Sequence, residues 1–244
     1  SLKSESMRER HWEQLQSVTA TSVNTDPNVF TLGMLLGMKI HLYSSGILDM
    51  CTAAEKEVKI EADIVKLADV WKHQKFELLK YVKGEEDRGF TLRSTDEVTV
   101  TLDDMALTLQ SMMSSRYAKP FIDDVRAWEA KLSLISEVIE VWNEVQRKWM
   151  YLESIFIGSD DIRHQLPEEA KRFDRIEKHW QMLMADTNKN SNILDACSVK
   201  DRLPFLQELH EQLELCQKSL SEYLDTKRNA FPRFFFISDD ELLS

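Results

Sequence analysis

The sequence of 244 residues predicts a mainly α fold. The expected form is an elongated helical bundle array with one small β-hairpin or meander over about 75–101 and a short strand near 233–237. Three observations predict it. Six Gly and five Pro are too few to punctuate the many turns of an all-β fold. Apolar residues recur at spacings of three and four along most of the chain. In one stretch, near residue 98, the spacing falls to two.

Residues 1–73 read as helices. In "MRERHWEQLQSV" Met7, His11 or Trp12, and Leu15 share one face. "TSVNTDPN" is a polar turn. Thr31 then offers an N-cap for a helix expected to end at Gly46. Over 52–73, Ile60, Ile64, Leu67 and Trp71 form a single apolar stripe. Residues 74–102 read as the β unit: "KFELLKYV" is rich in strand formers, "KGEEDRG" is a turn, and in "EVTVTL" Val98, Val100 and Leu102 alternate with polar residues.

Residues 103–230 read as long helices. Pro120 suits a first turn. From there Val125, Trp128, Leu132, Ile135, Ile139, Trp142, Val145, Trp149, Leu152 and Phe156 step by three or four residues. Gly158 ends this element, and Ser159 caps a short helix with Asp160 and Asp161 in its first turn. Pro167 starts another helix, "DTNKNSN" is a loop, and Leu206, Leu209, Leu213, Cys216, Leu220 and Tyr223 mark the seam of a last long helix over about 201–229. Residues 231–244 read as a strand and the start of a helix: Pro232 stops the preceding helix, "RFFFI" is an apolar strand, and Ser238 with Glu241 has capping-box spacing. Four phenylalanines, Phe231, Phe234, Phe235 and Phe236, are expected to be buried at this corner. Neither end has the character of a natural terminus, and the expectation is a piece of a longer chain.

Composition narrows the function. At 43% hydrophobic residues the chain can bury a large core. A net charge of −11 makes it a poor phosphate binder, which disfavours nucleic acid and anionic membrane as partners. No apolar run reaches the roughly 18–20 residues of a membrane span. Cys51, Cys197 and Cys216 form no C-x-x-C and fit buried free thiols in a reducing compartment.

No catalytic, cofactor-binding or metal site is legible. The Asp-Asp pairs at 103–104, 123–124, 160–161 and 239–240 each fall near an expected helix start, where acids complement the dipole. The histidines at 11, 41, 73, 164, 179 and 210 make no H-x-x-x-H or H-E-x-x-H pattern. "KGEEDRG" places acids where a phosphate loop needs amides and a lysine. Cys216 lies on an apolar seam, and Trp128, Trp142 and Trp149 lie on another, so core packing is their expected use.

Four stretches carry a family resemblance: "RHWEQL", "VWNEVQRKWMYLESIF", "LPEEAKRF" and "KRNAFPRFFFISDDELL", in that order. Together they resemble the linker region of dynein heavy chains, over almost the whole chain. The signature residues are Trp142, Trp149, Phe231, Pro232, Arg233, Phe234 and Phe236. "FPRFFFISDDELL" is similar to axonemal chains, and "LESIFIGSDDIRHQLPEEAKRFD" to outer-arm β-type chains. The resemblance implies that residues 1–244 are the central part of a linker, a non-catalytic lever. Such a lever turns ATP-driven change in the AAA+ ring of the same heavy chain into movement along microtubules in cilia or flagella. It implies ATP and Mg for the full-length chain and none for this fragment. Microtubules and dynein intermediate and light chains would be met through other regions, on the cytoskeleton of the axoneme. Junctions near Gly46, Gly158 and "DTNKNSN" are the expected hinges. The competing reading is a helical scaffold or binding module, spectrin-like or a tail segment; irregular tryptophan spacing and the β unit speak against it.

Overall fold

A computed structural model gives the fold, and it describes residues 6–19, 43–239 and 241. It is mainly α, with a small two-stranded antiparallel sheet. The chain divides into two units: Ser1–Asp69 with Met105–Glu129, and Val70–Asp104 with Ala130–Ser244.

In the first unit, α1 (Glu9–Thr19) turns Leu15 into a small cluster with Ile47, Met50 and Cys51 of α2 (Ser44–His73). Charge flanks this contact. Arg8 meets Glu61 at 2.8 Å, and Glu57 receives Arg10 and, at 3.0 Å, His11 Nε2. The helix expected to end at Gly46 needs correction at that end, because Gly46 lies inside the first turn of α2. Glycine there does not break the helix: no αL residue follows it, and the apolar stripe continues through Ile47 and Met50. The Thr31 cap and the "TSVNTDPN" turn lie outside the described residues, as does His41.

In the second unit, β1 (Leu78–Lys83) pairs with β2 (Glu86–Leu92), in register from Leu78–Leu92 to Lys83–Glu86 with a bulge between Lys80 and Val82. Gly84 has φ 65° at the turn and Gly89 has φ 90° within β2, both favourable to glycine. The turn is therefore shorter than "KGEEDRG", whose later residues pair in β2.

The third strand of the expected meander is overturned. "EVTVTL" lies in α3 (Asp96–Ser114). Val98 and Leu102 belong equally to a stripe spaced four and three that continues through Met105, Leu109 and Met112, while Val100 is 61% exposed off that stripe. The start is fixed locally: Asp96 N donates to Ser94 Oγ at 3.3 Å, and Asp96 and Glu97 stand in the first turn. The hydroxyls of Thr99 and Thr101 donate to the carbonyls four residues back, which satisfies them inside a helix. It follows that Asp103 and Asp104 lie in the interior of α3 and not near a helix start.

A 3-10 turn, Arg116–Phe121, contains Pro120 and leads into α4 (Ile122–Phe156), the longest helix described. The expected seam is buried: Val125, Leu132, Ile135, Ile139, Trp142, Val145, Trp149, Leu152 and Phe156 are all core residues, with Trp128 half-buried. A side chain at Gly158 would collide with the Ser154 carbonyl, so glycine closes the helix. Ser159 Oγ accepts from Ile162 N to cap α5 (Asp160–Gln165), and Pro167 opens α6 (Pro167–Lys189). "DTNKNSN" is corrected in part, since α6 continues through Lys189. After α7 (Ile193–Cys197) comes α8 (Arg202–Ala230), whose seam buries Leu206, Leu209, Leu213, Cys216 and Leu220, and then Leu224 in place of Tyr223.

The strand near 233–237 is also overturned: Pro232–Phe236 is a 3-10 turn. Its amides close locally, Phe234 N to Phe231 O at 2.9 Å and Ile237 N to Phe234 O at 3.2 Å. Its carbonyls are taken by Arg228, which donates to Phe234 O at 3.4 Å and Ile237 O at 3.0 Å and meets Asp239 at 2.6 Å. Backbone groups committed in this way cannot join a ladder. The expected burial of the phenylalanines fails as well: Phe231 is 62%, Phe235 56% and Phe236 94% exposed, with Phe234 half-buried. The Ser238–Glu241 capping box is present, each backbone N–H meeting the other side chain at 3.2 and 3.3 Å. Asp240 lies outside the described residues.

Candidate functional site

The signature residues fall in two places within the second unit. Trp142 and Trp149 are fully buried on α4, whereas Phe231, Pro232, Arg233, Phe234 and Phe236 form the exposed turn after α8.

The two tryptophans are seven positions apart, two turns of one helix, so both indoles project from the same face. Trp142 packs against Phe76 with ring centroids 5.3 Å apart, and the Arg202 guanidinium lies 5.6 Å from its centroid. Burial lowers the Arg202 pKa from its ordinary value. Trp149 stacks on Trp180 of α6 at 5.1 Å and takes Tyr81 of β1 edge-on at 5.4 Å. Its Nε1 donates to Glu177 Oε2 at 2.5 Å, and Gln181 donates to the other oxygen at 2.7 Å. Burial raises the Glu177 carboxyl above its usual range, against the pull of these two bonds.

One helical turn beyond Trp149 stands Glu153, with 0% exposure. Its Oε2 accepts from Lys83 Nζ at 2.9 Å and from the Tyr81 hydroxyl at 3.3 Å, while Arg88 Nε faces Oε1 at 3.8 Å. Burial, then the neighbouring Glu153 charge, raises the Tyr81 pKa. Lower on the hairpin, Gln146 grips Leu92 twice, accepting from its N–H at 2.7 Å and donating to its carbonyl at 2.9 Å. Carboxylates and bases thus join the hairpin to α4 beside an aromatic stack shared with α6.

Sequence reasoning missed Glu153, Glu177, Lys83, Arg88, Tyr81 and Gln146. A signal was available for two of them. Glu153 lies four residues after Trp149, and Glu177 four after Phe173 and three before Trp180. A carboxylate at a stripe position is buried unless the helix turns away, and a buried carboxylate needs a partner.

Three features bear on chemistry. Among the described residues no group of three or more His, Cys, Asp or Glu is placed to hold a metal ion. The hairpin turn does not fit a phosphate, because Glu85, Glu86 and Asp87 stand between its two glycines. The thiols of Cys197 and Cys216 are pushed up by burial to about 12 and about 11, far from nucleophilic range. The arrangement holds the hairpin, α4 and α6 together.

The family model described as "Dynein heavy chain, N-terminal region 2" matches residues 1–244. The chain is 63% identical over 243 residues to the Dynein-1-alpha heavy chain of the flagellar inner arm I1 complex of Chlamydomonas reinhardtii. It is 51% identical over 243 residues to human Dynein axonemal heavy chain 10, and 38% identical over 242 residues to the ciliary Dynein beta chain of Heliocidaris crassispina. These alignments take in 100%, 100% and 99% of this chain and 5% of the length of each relative.

Proposed function

The chain belongs to the dynein heavy chain family, in its N-terminal region 2, and on that premise we propose that it is a segment of the mechanical linker. In this role it transmits ATP-driven change in the AAA+ ring of the same heavy chain into movement along microtubules. ATP and Mg²⁺ act in other parts of that chain, and microtubules and intermediate or light chains are met through other regions. Residues 1–244 form the central part of the linker, on the axoneme of cilia or flagella. The relatives' names support the axonemal placement. The higher identity to the inner-arm alpha chain than to the ciliary beta chain, 63% against 38%, favours an alpha-like chain over a β-type one.

The observation that carries the lever reading is the α4 seam. From Leu132 to Phe156 every seam residue is at most 3% exposed, so this length of helix is packed without interruption. A helix held along its whole face resists bending, as a force-bearing element must.

The test separates lever from tail. A donor fluorophore on this segment and an acceptor on the ring of the full heavy chain should change transfer efficiency between ATP-bound and nucleotide-free states. Constant transfer across the nucleotide cycle, in a motor that still turns over ATP, would assign the segment to the tail.

A further inference from the structure

We propose that the β1–β2 hairpin is a strap, hinged at its base and latched near its tip by the Glu153 carboxylate, which opens and closes as a unit over Trp149.

The two ends of the hairpin are held by different chemistry. The base is fixed by neutral backbone bonds. Phe76 N donates to Ser191 O at 2.7 Å, Ile193 N donates to Gln74 O at 3.0 Å, and Lys75 bridges Asn192. Asn192 Nδ2 adds a bond to Lys72 O at 3.0 Å, at the end of α2. Gln146 closes the β2 side of the base on Leu92. The tip is held by charge: Lys83 and Arg88 flank the Gly84 turn, and both reach toward Glu153. Between base and tip lies the bulge at Lys80 to Val82, where the ladder is weakest.

On β1, apolar contact does little to hold the tip. Leu79 and Val82 are each 49% exposed on the outer side. Tyr81, on the inner side, meets Trp149 edge-on and bonds Glu153 through its hydroxyl. A two-stranded hairpin is marginal by itself, so it depends on this docking.

The latch is also short of full closure. Oε2 serves two donors, while Oε1 faces Arg88 Nε at 3.8 Å, beyond hydrogen-bond length. Opening would exchange these charge contacts for hydration of Glu153, Lys83 and Arg88. Burial of an ion pair returns little net stability for that reason, so release costs far less than parting an apolar interface of the same extent. Loss of the carboxylate charge alone should free the tip and leave the base in place.

Hydrogen exchange of the full chain, resolved by segment, tests this. In Glu153→Gln, amides of residues 79–90 should exchange faster by roughly tenfold or more, the factor a charge-assisted hydrogen bond carries. Amides of α4 and α8 should keep their wild-type rates. Lys83→Met, at a side chain 40% exposed, cannot collapse the core and should accelerate the same segment by a smaller factor. Unchanged hairpin rates in both variants would overturn the latch. Equal acceleration of the hairpin, α4 and α8 in Glu153→Gln would also overturn it, since Glu153 would then be holding the core.

Discussion

Trp149 donates its indole N–H to Glu177 Oε2 at 2.5 Å, joining the C-terminal part of the α4 seam to a carboxylate that is 8% exposed. Burial is the larger influence on Glu177 and raises its pKa above the ordinary 4.5. The folded chain therefore holds this proton more tightly than the unfolded chain. The stability Glu177 contributes is full below about pH 4.5 and is lost as pH rises through the higher folded value. Glu177→Gln keeps an acceptor for Trp149 without the charge. Its melting temperature relative to wild type should rise between about pH 4.5 and pH 8. A difference that stays constant across that range would mean Glu177 is not strained by burial.

Removing the donor should do the opposite. Trp149→Phe retains an aromatic ring on Trp180 but leaves the Glu177 carboxylate without its strongest bond. The expected cost is about 3 kcal/mol by urea denaturation. Adding Glu177→Leu to Trp149→Phe should recover part of that loss, because the uncompensated charge is gone. Simple addition of the two single-variant costs would show that the two residues act separately.

The thiols give a direct chemical check. Cys197 and Cys216 are buried, and their thiols are pushed up to about 12 and about 11. At pH 8 the thiolate fraction is therefore very small, and access is blocked as well. Iodoacetamide should leave both unmodified in the native chain over a time that fully alkylates them in urea. Rapid native modification of Cys216, followed by mass spectrometry, would contradict its place in the α8 seam.

Two phenylalanines of equal size should behave in opposite ways. Phe173 is 0% exposed and stacks on Phe156 at 5.5 Å; Phe236 is 94% exposed. Phe173→Ala should cost about 3–5 kcal/mol, and Phe236→Ala should stay within about 0.5 kcal/mol. Thermal melts of the two variants decide it. A large loss for Phe236→Ala would place that ring in a packed environment.

The long helices were legible because their period persists. Ten α4 residues spaced by three and four leave no other reading, and nine of them prove buried with Trp128 half-buried. Caps were legible for the same local reason, as at Ser159 and at Ser238 with Glu241. The failures came where a short window fits two periods. Val98 and Leu102 are four apart, which suits alternation and a helix equally, and only Met105, Leu109 and Met112 beyond them decide the matter. "RFFFI" failed for another reason: its apolar composition says nothing about the backbone, and Arg228, nine residues before Ile237, takes the carbonyls a strand would need. The hairpin clamp was illegible as a set because Lys83 and Glu153 are 70 residues apart and meet only through the fold.

The seam also predicts where a lever would fail. Ile135 is 0% exposed in α4, with Leu132 and Ile139 a turn away on the same face. Proline at this position removes a backbone donor and clashes with the carbonyl four residues earlier, at about 3 kcal/mol or more. Domains of this kind have roughly 5–15 kcal/mol of stability, so the chain should remain folded with a kink in α4. Under the proposed lever role, Ile135→Pro in the full heavy chain should retain ATP turnover while microtubule gliding slows or stops. Ile135→Leu conserves volume and the helix, and should glide as wild type does. The kink itself can be checked by the distance between spin labels on either side of residue 135. Normal gliding speed in a proline variant whose kink has been measured in this way would show that α4 does not carry the stroke.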